Sequence, residues 1–284
     1  MQKTNKMFGV TLLQMNVTDR KHDNVTNAMR LIRMTVEKDR SKMVVLPEMF
    51  TTPHGRRDLF EQNAELIPTG ETCMMLSNIA KELKIYIVAG LPERDERDKS
   101  IWYNTIVVFK NTGDFLVKHR QVHLVDMDLM DMKMKESDFL TAGNTLTTFD
   151  MDGVKIGLGI CCDLFYSEMA TLYRKFGCDM MIYTTAYPKM IGEMFTDMLT
   201  KTRAADNQMF VMTISQARMD ERMMDMVYGH SLIVDGYGKV LKRLNDREDL
   251  LYLDIDLTDL EKYRRDIKLL DHKRTDIYDL VYKK

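Results

Sequence analysis

The chain alternates short apolar runs with amphipathic stretches almost from end to end. Phe8 to Met15, "FGVTLLQM", has the near-continuous apolar character of a buried strand. From Asn24 to Asp39, the residues Val25, Ala28, Met29, Ile32 and Val36 recur at helical spacing and define one apolar face. "MVVLPE" is a short buried strand that Pro47 stops, because proline has no N–H to give to a ladder. "SNIAKELK" is helical, and "IYIVAGL" is again a strand. "WYNTIVVF" and "DFLVKHR" flank "KNTGD", whose Asn and Gly mark a hairpin. "VKIGLGICCD" reads as a strand ending at Asp163, and "SEMATLYRKFG" as a helix closed by Gly177. "CDMMIYTTA" is a strand, Glu193 to Asp206 a helix, and "MFVMTISQA", "HSLIVD" and "LLYLDIDL" further strands. A terminal helix covers Asp256 to Arg265, with a polar tail after it.

These elements predict an α/β fold. Strands and helices alternate early and hairpins are frequent, which implies two mixed sheets packed together with helices outside. No Pro/Gly/Ser-rich linker and no fixed-period repeat interrupts the chain, so a single domain over 1–284 is expected. Periodicity alone leaves the order of the layers open.

Composition narrows the function classes. The 284 residues suffice for a sizeable core, and the net charge of -2 gives no reason to expect nucleic acid or an anionic membrane as partner. No apolar run approaches the length needed to span a bilayer. The leading segment "MQKTNKMFGV" lacks the apolar stretch of a secretory signal, so a cytoplasmic protein is expected. Cys73, Cys161, Cys162 and Cys178 form no C-x-x-C pair and have no His at zinc-like spacing. Cys73 and Cys178 read as small buried hydrophobes, and the 26 methionines as fillers of core or interface.

Three segments carry candidate chemistry. In "GICCD", Cys161 sits at the end of a buried strand, where sites of α/β folds concentrate and where following amides can face an oxyanion or thiolate. Gly157 and Gly159 alternate with it; they either leave room above the strand or let neighbours pack closely. In "VVLPEMF", Glu48 emerges after an apolar strand. Near a thiol it would be a general base with its pKa raised by desolvation; alone it reads better as a solvated loop glutamate. In "KHRQVHL", His119 and His123 are four apart, but on strand and turn rather than helix, so no metal site is expected. The Met/Asp alternation from Asp126 to Glu136 reads as a surface loop, dense enough in Met to pack on a partner or over a pocket.

Together these segments resemble the nitrilase superfamily of carbon–nitrogen hydrolases, most closely its omega-amidase branch. The resemblance rests on "LPEMF", "VHLVDMD", "ESDFLTAGN", "GLGICCD", "TRAADNQMFV" and "GHSLIVDGYG", in this order along nearly the whole chain. It implies an α-β-β-α sandwich and four layers in a homodimer; no cofactor or metal is expected. It implies that Cys161 attacks an amide carbon and forms a thioester, and that Glu48 takes the thiol proton and later activates water. Glu136 would orient the base and the substrate. A lysine would hold the tetrahedral oxyanion, with the Cys162 amide as second donor.

The lysine position is Gln121. Loss of one preorganised oxyanion donor costs roughly 3–4 kcal/mol, about 10²–10³ in rate, and loss of the charge at least as much. The two acids, without a counter-ion, should rise in pKa. The pocket differs too: Cys162, Phe165 and Tyr166 stand where omega-amidases carry Tyr and then "RF", and Met194-Phe195 where they carry His-Trp. Lys118 should point to the opposite strand face, while Lys133 and Lys135 in the following loop remain open as substitutes. The expectation is an omega-amidase-like homodimer that uses the inherited pocket and Met-rich surface to bind a small amide or carboxylate metabolite or a protein, with amide hydrolysis greatly impaired or lost. The alternative is an active hydrolase of short dicarboxylic monoamides, slow or shifted in specificity.

Overall fold

The computed structural model describes residues 7–38, 40–129, 132–218 and 227–283. In chain order its elements are β1 (Met7–Gln14), α1 (Lys21–Lys38), β2 (Ser41–Val45), α2 (Arg57–Asn63), α3 (Glu71–Leu83), β3 (Tyr86–Arg94), β4 (Trp102–Phe109) and β5 (Phe115–Arg120). Then come β6 (Asp126–Leu129), β7 (Met132–Lys135), β8 (Thr148–Met151), β9 (Val154–Ile160), α4 (Ser167–Lys175), β10 (Met180–Thr185) and α5 (Lys189–Asn207). The chain closes with β11 (Phe210–Ser215), β12 (Leu232–Val234), β13 (Val240–Arg243), β14 (Asp249–Asp256) and α6 (Leu257–Asp266).

Two six-stranded sheets result, in the orders β14-β1-β2-β3-β4-β5 and β13-β12-β11-β10-β9-β8. In each, three central strands run parallel and the flanking strands antiparallel. The late strand β14 pairs with β1 over its whole length, Met7 opposite Asp256.

The strands of the first sheet are apolar on both faces, and period-2 alternation sorts their side chains into two cores. Val10, Leu12, Met43, Val45, Tyr86, Val88, Ile106 and Val108 join the core shared with the second sheet. The intervening Leu13, Val44, Ile87, Ala89, Val107 and Phe109 pack under α1 and α3 with Ala28, Ile32, Leu76 and Ile79. Helices α4 and α5 lie against the second sheet, α5 on β11 and β12. The layer order is therefore α-β-β-α, as the resemblance implied.

Several boundaries differ from the sequence reading. The strand expected to reach Asp163 ends at Ile160, and a 3-10 turn covers Cys161–Phe165. Helix α5 begins at Lys189, four residues before the expected Glu193, because the carbonyl of Pro188 already accepts from Gly192 N–H. The stretch read as a surface loop from Asp126 to Glu136 forms the hairpin β6–β7, with Met130 and Asp131 outside the described residues. Its alternation is that of a strand pair: Met127 lies opposite Met134, and both pack against the main core. The expected end of α1, Asp39, also lies outside the described residues, while α2, β8 and β13 had no periodic signal strong enough to announce them. Gly177, with φ +87, closes α4 as anticipated.

One glycine is needed for a close approach. The segment Pro47–Phe50 leaves β2 and crosses β3 at Gly90, where Gly90 N–H donates to Pro47 O at 3.2 Å and Phe50 N–H to Gly90 O at 3.1 Å. A Cβ on Gly90 would sit 2.7 Å from Glu48 Cα. Gly90→Ala therefore should destabilise the protein by about 1–3 kcal/mol, the usual cost of overpacking, and thermal denaturation of the variant against the wild type measures it.

Candidate active site

Glu48 is not the solvated loop residue that its isolated sequence context favours. It is 1% exposed. Gln216, just past β11, donates through Nε2 to Glu48 O at 2.9 Å and to Thr52 O at 3.0 Å, so the loop is clamped from the second sheet. The carboxylate Oε1 accepts from Asn104 Nδ2 at 2.6 Å, while Oε2 is buried without a hydrogen-bond partner.

Cys161 opens the 3-10 turn with φ +46, a left-handed conformation uncommon for a side chain with a Cβ. Three groups hold the turn in place. The Tyr187 hydroxyl donates to Cys161 O, and Arg203 donates to Leu164 O and Phe165 O at 3.0 and 2.8 Å. Asp163 folds back so that Oδ2 accepts from Ile160 N–H at 2.9 Å. Gly157 and Gly159 do not leave open space above β9: Tyr173, Met181 and Tyr183 fill it.

Asp163 also decides the fate of the two histidines. Its Oδ1 accepts from His123 N–H at 2.9 Å and lies 2.8 Å from His123 Nδ1, and its Oδ2 lies 3.4 Å from His119 Nε2. The pair thus converges on a carboxylate, and among the described residues no group of three His, Cys, Asp or Glu side chains is placed to hold a metal. Burial alone would raise the Asp163 pKa; the two histidines outweigh it and hold the carboxyl below its usual range.

Gln121 lies immediately after β5 and is 1% exposed. Its Nε2 donates to Glu136 Oε2 at 3.0 Å and to His123 O at 2.8 Å, and its Oε1 accepts from Asn104 Nδ2 at 2.9 Å. Reversing the amide would set its oxygen against two acceptors and its nitrogen against a donor, so this orientation is fixed by chemistry. Glu136 Oε2 accepts in addition from Val125 N–H at 2.7 Å. A ladder Glu48–Asn104–Gln121–Glu136 thus runs through the buried site, and Asn104 Nδ2 and Gln121 Nε2 have no N–H left over.

The ladder contains no cation. Lys118 bonds Glu93 at 2.5 Å on the other strand face, as expected, together with Arg120. Lys133 and Lys135 pair with Asp128 and Asp138 at the surface. Burial first, and then the charge of Glu136, push Glu48 up to about 8, with Asn104 and the Cys161 thiol offsetting part of the rise. Burial pushes Glu136 to about 7 against its hydrogen bonds from Val125 and Gln121. Burial and the two acids raise the Cys161 thiol well above its ordinary value.

The other expected site residues gather on the same side. Phe165 packs against Phe195 and Tyr187, with ring centroids 5.1 and 6.0 Å apart. Tyr166 stacks on His123 at 3.6 Å. Cys162 is partly buried against the main core, its thiol pushed up to about 12 by burial. Sequence reading missed Asn104, Asp163, Tyr187, Arg203 and Gln216. The Asn in "WYNTIVVF" was the one available signal, an amide in an otherwise apolar strand centre.

A carbon–nitrogen hydrolase family model matches residues 9–265. The chain belongs to the carbon–nitrogen hydrolase family. Over 279 residues, 98% of this chain and 99% of the relative, it is 40% identical to omega-amidase NIT2 of Mus musculus. Over the same shares it is 38% identical to omega-amidase NIT2 of Homo sapiens. The crystal structure of Saccharomyces cerevisiae Nit3, a member of branch 10 of the nitrilase superfamily, superposes with a TM-score of 0.85 at 33% identity, covering 95% of this chain and 97% of that one. The fold is therefore that of the nitrilase superfamily, in an omega-amidase-like member.

The site of this carbon–nitrogen hydrolase should leave a thermodynamic signature. Above the ordinary carboxyl value of 4.5, up to about 8 for Glu48 and about 7 for Glu136, the folded chain holds protons on these acids that the unfolded chain releases. Stability carried by the protonated acids is therefore present below that window and is lost as pH rises through it. Glu48→Gln should gain in Tm relative to the wild type as pH goes from 5 to 8.5. Denaturation scans that show a constant Tm difference across this range would contradict the buried neutral acid.

Proposed function

We propose that this chain keeps an omega-amidase-like site for a small amide or carboxylate but hydrolyses C–N bonds poorly or not at all. The observation that carries this reading is the saturation of Gln121. Its two N–H groups go to Glu136 and His123 O, so neither a cation nor a spare donor meets an oxyanion from this position.

In the proposed chemistry, Cys161 Sγ attacks the amide carbon, and Glu48 Oε2 accepts the thiol proton and returns it to the departing ammonia. The resulting thioester is cleaved by water that Glu48 deprotonates. Glu136 orients the ladder, the Cys162 amide faces the oxyanion, and Phe165, Tyr166 and Phe195 wall the pocket. Two features oppose each step. At neutral pH most of Glu48 carries its proton, with a pKa of about 8. The negative charge that grows on sulfur and then on oxygen has two acids beside it and no ammonium. A missing oxyanion donor costs roughly 3–4 kcal/mol, and the missing charge adds to that.

A slow hydrolase of short dicarboxylic monoamides is the second reading, favoured by the retained Cys161 and Glu48. The same reading takes 1–284 as one domain, which the pairing of β14 with β1 supports. It takes the protein as a cytoplasmic homodimer with no cofactor, no nucleic acid and no membrane as partner. Four free cysteines support a reducing compartment, and Met194 and Met198, 50% and 52% exposed on α5, offer an apolar contact surface. Among the described residues no helix is long and apolar enough to cross a membrane.

Gln121→Lys should lower the pKa of both acids and raise ammonia release from succinamate or glutaramate by about 10²-fold or more. Ammonia assays with intact-mass measurement of an acyl adduct on Cys161 compare the two proteins. Wild-type turnover as fast as that of the lysine variant would sink the impaired reading and leave the slow or shifted hydrolase in doubt as well.

A further inference from the structure

The buried acids and amides of the ladder hold more acceptor atoms than the site has donors. Glu48 and Asn104 are each 1% exposed. Glu48 Oε2 and Asn104 Oδ1 are both buried without a hydrogen-bond partner. Such acceptors are uncommon in folded proteins, because each has given up its bonds to water for nothing. The two amides cannot make up the shortage. Asn104 Nδ2 already serves Glu48 Oε1 at 2.6 Å and Gln121 Oε1 at 2.9 Å, and Gln121 Nε2 serves Glu136 Oε2 and His123 O.

These acceptors belong to one small region. Glu48 faces the Cys161 thiol, a weak donor. Asn104 Oδ1 is on the amide that joins Glu48 to Gln121, and Gln121 is bonded in turn to Glu136. Glu136 borders a cavity of about 270 Å³ whose walls include Met49, the neighbour of Glu48. The cations among those walls, Arg56, Arg57, Lys133 and Lys135, each pair with an acid, so they do not relieve the ladder.

A group that met this shortage would bring positive charge and several directional N–H donors. A metal ion brings no donors, and among the described residues no group of three His, Cys, Asp or Glu side chains is placed to hold one. An ammonium group brings both, and its bonds to carboxylates are the stronger, charge-assisted kind. We propose that this site binds a primary ammonium group, as free ammonium or as the end of a small amine, held by Glu48, Asn104 Oδ1 and Glu136. The inference deepens the function proposed above and rests on it for the cation-free ladder.

Binding is coupled to a proton. The titratable groups that face Glu48 are Glu136, Cys161, Cys162, Asp163 and Tyr187, and none of them is a cation. At neutral pH most of Glu48 is protonated, with a pKa of about 8. When the ammonium enters, that proton leaves to solvent and the carboxylate formed faces the cation. Affinity therefore rises with pH as far as the Glu48 pKa.

The test is isothermal titration calorimetry on the full chain at pH 7.5 and constant ionic strength, with the chlorides of ammonium, methylammonium, tetramethylammonium and sodium. Ammonium or methylammonium should bind about tenfold or more tightly than tetramethylammonium, which has the charge but no N–H, and than sodium. Glu48→Gln and Glu136→Gln should each weaken that binding about 5- to 20-fold, as for loss of a charge-assisted contact. Gln121→Lys, which places a tethered ammonium at the same site, should abolish it. From pH 6 to 7.5 the wild-type affinity should rise about tenfold or more. Methylammonium binding assigns the end of an amine, and ammonium alone the free ion. Equal response to all four salts, ammonium binding that survives Gln121→Lys, or an affinity flat from pH 6 to 7.5 would overturn the proposal. Fast wild-type hydrolysis, read in the ammonia assay, would instead sink the impaired reading, so the two failures are told apart.

Discussion

The buried carboxylate of Asp163 is the tie on which the site depends. It accepts from Ile160 N–H at the end of β9, in the second sheet, and from His123 N–H just beyond β5, in the first. Hydrogen bonds to a charged acceptor are worth about 1.5–3 kcal/mol each, and leaving such a charge unpaired in the interior would cost more. Gln216 also links the sheets, through Glu48 O and Thr52 O, across a broad area of non-directional apolar packing. Asp163 adds direction: it sets the turn that carries Cys161 at a fixed height against the segment that carries Gln121.

Given that placement, the neutrality of the site follows from its hydrogen-bond inventory. A lysine at 121 would set an ammonium between two carboxylates and let both ionise. A glutamine supplies two N–H groups and one carbonyl, and Glu136, His123 and Asn104 use all three. The pKa values of Glu48 and Glu136, about 8 and about 7, are the electrostatic consequence. Charge has not vanished from the neighbourhood. It lies farther out, on Lys133 and Lys135, paired with Asp128 and Asp138 at the surface.

The architecture was largely legible in the chain because both signals involved are local. Strands β1 to β4 are apolar on both faces, and α1 and α3 are apolar on one. Those patterns alone call for a sheet buried on two sides with helices on one of them. The hairpin at Lys110–Asp114 was readable from its turn residues for the same reason. The 126–136 segment was not, since Met is neither a strand former of note nor a clear core marker, and a Met/Asp alternation has the look of a surface loop. Short elements such as α2 and β13 had too few residues to express a period.

For the candidate site, the chain's local pattern, with the resemblance, names the cast: a strand-end thiol, Glu48 after an apolar strand, Glu136, and a glutamine where the resemblance calls for lysine. It determined too that Lys118 could not substitute, because period 2 puts it on the other face. Tertiary packing alone buries Glu48, turns the His pair onto Asp163 and lets Asn104 join Glu48 to Gln121. Only it decided that the glutamine amide is fully engaged. Burial and hydrogen-bond saturation are sums over neighbours that lie up to 168 residues apart in the chain, and no local pattern records them.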